Sequence, residues 1–567
     1  MNRKMKKLIY YILIPVLMLF GYSCSLDEES KTEIDKNKYM VDAAEAEIVL
    51  LGVYRNMVTD GMYGYHMSIL FTMGTDISQV EGSTNENFRI IPTNSFSANQ
   101  AEIQTTWADL YNGIYNANDF LEEIERKKDK FDQKDRELAN IYIAEARSLR
   151  ALYYFELVRR YGNIALMTNT AMSHQHPSTF VQENPVTIYE FIEEDLLFAI
   201  DNLPYSTDGE DIRKDNSFRF SKGAALGLLA KVYATWAGAP INDKSKWEKA
   251  AKTAQVLINS NKHALLDDYE QLWKNAGAGI WDPTESLIEV SFYSPTSSAN
   301  SDPIGRIGKW NGVKATDITG KRPRNAGNVK VVHTFVLDWR EYPGDLRRDI
   351  SVANYQYKDT KELYVKSASD KDESVTLAND ADPTKKQKEK QNYTPGKWDT
   401  EKYVPESNKL MNNDKSNVNW YVLRYADVLL LYAEAMNEWK QAPTSDAYQA
   451  VNMVRRRGYG LSVTAANNVA DLPSGLNVDS FREAVRKERA YELAFEGHRR
   501  LDLIRWDVYY DTVKDTAKRL GMWWQGGGSP NYAVATPGYT TKGKHELFPI
   551  PQRDMDIMTK FRQNPGW

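Results

Sequence analysis

Four groups of residues in this chain could do chemistry. The first is a single thiol, Cys24 in "LMLFGYSCSLDEES", the only cysteine in 567 residues. One cysteine cannot close a disulfide within its own chain. It stands where an apolar run stops and an acidic run starts, and covalent attachment of lipid is the use that fits that junction. The second group is aromatic. A sugar ring presents C–H faces that stack on Trp, Tyr or Phe, while amides and carboxylates take its hydroxyls. Tyr293 and Trp310 lie amid Ser, Asn and Gly, and Phe88 and Asn94 lie in "ISQVEGSTNENFRIIPTNSF". These four are the candidate ligand contacts, although each taken singly fits ordinary packing better. Trp523-Trp524, before Gly526-Gly527-Gly528, fit a buried staple and an exposed platform equally. The third group is Glu488, Glu492 and Glu496. A glycoside hydrolase needs two carboxylates facing each other across a cleft, about 5–9 Å apart. These three instead repeat at helical spacing among Arg486, Arg489 and Arg499, the pattern of a paired structural face. The fourth is His174-x-His176, whose spacing could ligate zinc. With no cysteine nearby and only Glu183 as a carboxylate, it reads as a solvated loop. No phosphate loop of the G-x-x-x-x-G-K-[ST] type is present.

The elements that must position these groups are mostly helical. In "IAEARSLRALYYFELVRRYG", Ala146, Leu149, Tyr153 and Leu157 share one face, and Gly162 suits the stop. "TIYEFIEEDLLFAIDNLP" is a second helix, closed by Pro204. "SKGAALGLLAKVYATWAG" is small and apolar nearly all round, so it should be buried, and "KWEKAAKTAQVLINSN" returns after a short turn. That pair has the look of a tetratricopeptide hairpin, with Ala250, Ala254 and Leu257 as a small contact face. "RYADVLLLYAEAMNEW" and "DAYQAVNMVRRRG" form a second such pair, with Tyr425, Val428, Leu429, Tyr432 and Met436 on one stripe. "DSFREAVRKERAYELAFEGHRRLDLIRW" reads as one long helix opened by a Ser480/Glu483 capping box. Trp107, Tyr111 and Trp506 sit in helical motifs and read as core. Residues 275–415 change character, rich in Gly, Pro, Asn, Asp and Ser with scattered aromatics. Within them 366–397 is highly charged and reads as an exposed loop. Its carboxylates leave a structural calcium open, but no ligand spacing marks one. No other cofactor is implied.

The first residues carry the basic side chains Arg3, Lys4, Lys6 and Lys7, then the apolar run 8–20, then Gly21 and Ser23. This order is a secretory signal, too short for a comfortable bilayer span. Removing residues 1–23 takes away four positive charges, so the formal net charge moves from −5 to −9. A mildly acidic chain argues against nucleic acid as a partner, since phosphate binding wants a basic face. Residues 24–40 are expected to be a flexible tether.

Six segments in order carry a family resemblance: Cys24; "TTWADLYNGIYNANDFL"; "EARSLRALYYFELVRRYG"; "RYADVLLLYAEA"; "ERAYELAFEGHRRLDLIRW"; and the closing "PIPQRD…QNPGW". Together they resemble the SusD/RagB family of surface nutrient-binding lipoproteins, over essentially the whole mature chain. The start resembles a bacterial lipoprotein signal, with Gly21 where such signals usually carry leucine. Asp27-Glu28-Glu29 resembles the address that sends these lipoproteins to the cell surface. The resemblance implies a mostly α fold: a tetratricopeptide-like scaffold over about 41–270 and 415–510, a loop-rich insert over 275–415 forming the ligand face, and a C-terminal segment 510–567. It implies a lipid anchor at Cys24 on the outer membrane. It also implies a SusC-like TonB-dependent transporter as partner, and capture of an oligosaccharide, or of peptide in some members, without catalysis. A secreted helical glycoside hydrolase is the alternative from another class.

Overall fold

The computed structural model describes residues 39–81, 87–209, 211–294, 304–316, 323–359, 364–368, 372–375, 387–390, 393–411, 414–523 and 536–567. Cys24 and most of the tether lie outside them. The described chain is mostly helical. Helices α1 (Ala43–Tyr54), α2 (Ala101–Lys127), α3 (Gln133–Tyr161), α4 (Pro185–Asn202), α5 (Lys222–Ala237) and α6 (Lys246–Asn259) precede the insert. Helices α7 (Tyr425–Lys440), α8 (Ser445–Gly458), α9 (Val478–Glu492), α10 (Arg499–Arg505) and α11 (Tyr509–Trp523) follow it. From α2 to α6 each helix packs on the next. Then α6 packs on α7, and α7 on α8 and α9. The two hairpins α5/α6 and α7/α8 are therefore neighbours in one stack. No helix among the described residues is long and apolar enough to cross a membrane.

Local chemistry explains the boundaries. Asp132, Asn184, Ser221 and Thr444 each accept a backbone N–H bond at the start of α3, α4, α5 and α8, which satisfies one orphan donor of the first turn. Gly162 ends α3 at φ +68°, where a side chain would be strained. The expected stripes of α3 and α7 are buried, but so is most of the rest of each helix, because neighbours cover them on several sides. Helix α5 is buried nearly all round, as its composition predicts.

Three expectations need correction. The long helix from Ser480 is two helices. The chain turns at Phe495 (φ +64°) and Gly497 (φ +84°) between α9 and α10. The freed carbonyls are taken up by tertiary partners: Lys397 Nζ donates to Glu492 O at 3.0 Å and Trp398 Nε1 to Phe495 O at 3.3 Å. The cap is Asn477, whose Oδ1 accepts the Ser480 N–H at 2.8 Å, one turn earlier than the Ser480 box. Finally, the 366–397 segment is not all loop. Tyr364–Ala368 pairs antiparallel with Tyr355–Asp359, and Asp372–Val375 with Gln387–Lys390.

Short ribbons tie the insert to the scaffold. Strand β1 (Ser78–Val80) pairs antiparallel with β3 (Val329–Val331), with Ser78 opposite Val331 and Val80 opposite Val329. Strand β2 (Ser286–Val290) pairs antiparallel with β4 (Trp420–Arg424), which runs directly into α7. Helix α5 lies against this second ribbon. A Cβ at Gly227 would come within 2.9 Å of Leu423 and 3.0 Å of Leu287, so a side chain there would have to push those leucines aside.

Candidate functional site

Two of the four candidate ligand contacts meet. Trp310 packs edge-on against Phe88 with ring centroids 5.1 Å apart, and Tyr65 joins them at 5.4 Å from Trp310. All three residues are half-buried. Their seats are rigid. Tyr65 follows Gly64, where a Cβ would lie 2.7 Å from the carbonyls of both Val58 and Thr59. Phe88 sits in the single 3₁₀ turn Asn87–Arg89. The Trp310 loop is tied at several points. Arg306 N donates to Gly64 O at 3.0 Å, and Trp310 O accepts from Asn328 N at 2.8 Å. The β1–β3 ribbon joins the two halves, since Glu81 N donates to Asn328 O at 2.7 Å and Arg89 Nε to Glu81 O at 2.8 Å.

Charged groups surround the rings. The Arg306 guanidinium lies 4.6 Å from the Tyr65 ring centre and pairs with Asp60 at 2.7 Å. Lys415 stands 3.5 Å from the same carboxylate. Arg89 lies 4.6 Å from the Phe88 ring centre. Burial acts to raise the Asp60 carboxyl, but the Arg306 bond and charge outweigh it and hold the group below its ordinary value. Beneath the loop, burial lowers Lys309 to about 7; its Nζ donates to Leu410 O at 3.0 Å. The Trp310 Nε1 is buried and has no partner among the described residues. The arrangement offers three aromatic surfaces rimmed by fork-shaped donors and one carboxylate, which is the equipment for holding a polyhydroxylated ring. Tyr65, Asp60 and Arg306 were missed in the sequence; the only signal was the Gly-punctuated "DGMYGYHM".

Tyr293 stands apart in kind, 60% exposed. It belongs to the segment whose neighbours meet the insert: Ser294 N donates to Asn417 Oδ1 at 2.9 Å, and Gly305 bridges to Ser416. Asn94 is corrected. It is 2% exposed and sits at φ +58°. Its Nδ2 donates to Tyr509 Oη (2.9 Å) and Thr540 Oγ1 (2.7 Å), and its Oδ1 accepts from Arg500 (2.9 Å). Both ends of the amide are engaged in joining α10, α11 and the C-terminal segment, so Asn94 is not a ligand contact. Trp107 is buried, whereas Tyr111 and Trp506 are half-buried. Trp506 Nε1 donates to Glu434 at 2.7 Å. Trp524 lies outside the described residues.

The glutamate trio is interior and paired, but mostly with cations of other elements. Arg424 Nη1 reaches Glu285 (2.6 Å) and Glu492 (3.0 Å), and its Nε reaches Glu496 (2.7 Å). Arg457 joins Glu285 (2.9 Å) and Glu492 (2.7 Å). Arg347 joins Asp345, Glu488 and Glu492. Arg455 meets Glu488 at 2.9 Å and Lys397 meets Glu496 at 2.7 Å. Arg489, the expected neighbour, pairs instead with Asp427 (2.6 Å) and Asp502 (2.9 Å). Burial acts to raise Glu492, yet Arg457, Arg424 and Arg347 hold it well below the carboxylate range. These carboxylates face cations in a dry interior rather than one another across a cleft. His174 and His176 are exposed, the first edge-on to Tyr115 and the second beside Ser178 Oγ at 2.7 Å. Among the described residues no group of three His, Cys, Asp or Glu could hold a metal ion.

Comparison with known proteins agrees with this architecture. A model of the SusD family matches residues 333–567, and a model described as starch-binding associating with outer membrane matches residues 26–234. A crystallised SusD homolog from Bacteroides thetaiotaomicron is 65% identical with a TM-score of 0.88, over 95% of this chain and 100% of that one. A laminarin binding SusD-like protein is 24% identical with a TM-score of 0.65, over 92% of this chain and 99% of that one, a likeness of fold alone. SusD-like protein P25 of Formosa agariphila is 24% identical over 97% of both chains.

Proposed function

The chain belongs to the SusD family, and from that premise we propose that it is a cell-surface glycan-binding lipoprotein. It captures oligosaccharide or polysaccharide at the Tyr65–Phe88–Trp310 cluster, with Tyr293 as a further contact. It delivers the glycan to a SusC-like TonB-dependent transporter in the outer membrane, and it is held there by lipid on Cys24. It performs no chemistry on the glycan. The observation that carries this reading is the cluster itself: three half-exposed rings locked by backbone bonds and rimmed by Arg306, Arg89 and Asp60. Related proteins described as laminarin binding and as surface glycan-binding support the ligand class, and the starch-binding, outer-membrane description of one matching family model supports both ligand and place.

Calorimetry of the mature chain against a panel of polysaccharides, oligosaccharides and peptides tests this. Saturable binding of a glycan with no product formed is expected. Trp310→Ala removes a stacking face worth about 1.5 kcal/mol, so affinity should fall at least about tenfold while the fold is kept. Unchanged affinity in a folded variant removes Trp310 from the site. Heat from peptides alone would replace the ligand class. Loss of uptake in a deletion strain, with transporter abundance unchanged, is the expected mark of capture rather than assembly.

A further inference from the structure

A second groove, of about 430 Å³, lies on the helical scaffold. That size is within the usual range of small-molecule sites, roughly 300–1,000 Å³. One wall is a face of α2, carrying Gln104, Tyr111, Asn112 and Tyr115. The other sides are Phe180 and the C-terminal turn with Arg553. Tyr111 and Tyr115 are half-buried along that face. Tyr111 is locked edge-on to Trp107 at 4.9 Å, and its hydroxyl donates to Ala165 O at 3.0 Å. Phe180 is half-buried too. The Tyr111 wall is therefore fixed before any ligand arrives.

The groove can be set against a larger opening in which several polar groups are engaged. In the cleft of about 800 Å³ between α1 and the 214–219 loop, Tyr54 and Arg219 are tied to Glu145, and Glu289 to Ser286 and Asn419. In the groove, the side chains of Gln104, Asn112, Tyr115 and Arg553 make no hydrogen bond among the described residues. Two amides and a phenol thus stand without a hydrogen bond to the described protein around aromatic walls, beside the Arg553 guanidinium, whose charge acts on Asp554. A hydrocarbon side chain of a docking protein would cover these groups without satisfying them, which is costly. A ring with vicinal hydroxyls would satisfy them and still lay its C–H face on a tyrosine.

We propose that this groove is a second carbohydrate subsite, taking a sugar ring against Tyr115 with Gln104, Asn112 and Arg553 on its hydroxyls. The inference rests on the glycan-binding reading above. A polymer long enough to span both sites would meet the second at high effective concentration, so long glycans should gain affinity over short ones without new contacts.

The test is calorimetry of the mature chain with a panel of short α- and β-linked gluco-, galacto-, manno- and xylo-oligosaccharides and the parent polymers. The wild type should bind two short oligosaccharides per chain. Tyr115→Ala and, separately, the exposed-site variant Arg553→Ala should reduce this to one and lower polymer affinity about tenfold. Trp310→Ala should leave the groove's single site. Glycan should also slow amide exchange over 173–180 and 552–558. One oligosaccharide per wild-type chain, or binding lost in Trp310→Ala and untouched in both groove variants, overturns the second subsite and leaves the first reading standing. Silence of the wild type to every glycan overturns both.

Discussion

Replacing Arg424 by methionine should be among the most damaging single changes in this chain, and the structure gives the size of the effect. Arg424 is 1% exposed and bonds three carboxylates, Glu285, Glu492 and Glu496. The surrounding cluster holds Asp345, Glu285, Glu488, Glu492 and Glu496 against Arg347, Lys397, Arg424, Arg455 and Arg457, a balanced set. Methionine keeps much of the volume but leaves one net negative charge in a dry interior. Breaking a buried pair by removing one partner costs about 3–5 kcal/mol, a large share of the roughly 5–15 kcal/mol that holds a domain folded. A glutamate of the cluster can recover neutrality by taking up a proton, so the loss should be smaller at pH 5 than at pH 8. Equilibrium denaturation at both pH values measures this. The double variant Arg424→Met/Glu496→Gln should regain part of the loss at pH 8. For contrast, Arg519→Ala breaks a pair with Asp338 whose side chains are 42% and 38% exposed, and should cost under about 1 kcal/mol. A loss below about 1 kcal/mol for Arg424→Met, or a double variant no better than the single, would refute the reasoning.

The other predictions are briefer. Burial pushes His66 and His545 down to about 4 and His498 to about 3, so each loses stability as pH falls through the ordinary histidine range. Glu289, raised by burial to about 7, works the other way and gains as pH falls. Each such histidine contributes a loss of up to about 1.4 kcal/mol per pH unit between its folded and unfolded values; a His66→Gln variant whose melting temperature falls between pH 7 and 5 as much as the wild type's would sink this account. Gly312→Ala would place a Cβ 2.2 Å from Trp398 O and 2.5 Å from Gly308 O, so it should cost about 1–3 kcal/mol and weaken glycan binding by displacing Trp310; denaturation and calorimetry together check it. Cys24→Ser should move the protein from the membrane fraction to the soluble one, read by fractionation and blotting.

The scaffold was legible because its signals are local and repeat. The small, apolar α5, the Ala250–Ala254–Leu257 face and the Gly162 stop all speak within a turn or two of themselves. The proposed site was only half legible. Phe88 and Trp310 could be named by type, but their meeting depends on β1 pairing with β3, residues some 250 apart, and nothing local encodes that register. Asn94 failed for the same reason: an amide in a polar loop looks like a ligand contact until Tyr509, Thr540 and Arg500 arrive from the far end of the chain.

The glutamate trio shows how scaffold and site depend on one another. Read along the helix, Glu488, Glu492 and Glu496 are a structural face, and so they prove, but their work is tertiary. Glu496 holds Lys397, and the next residue, Trp398, stacks on Trp420 at 5.1 Å. The Trp398 carbonyl is in turn the surface on which Gly308 and Gly312 close the Trp310 loop. A charge that looks catalytic by residue type is thus two steps removed from the proposed ligand face, and acts by fixing the backbone under the aromatic ring. If that linkage holds, Arg424→Met should weaken glycan binding as well as stability, and a variant destabilised equally at a remote core position should not. Equal affinity in the two would show that the buried network supports the fold alone.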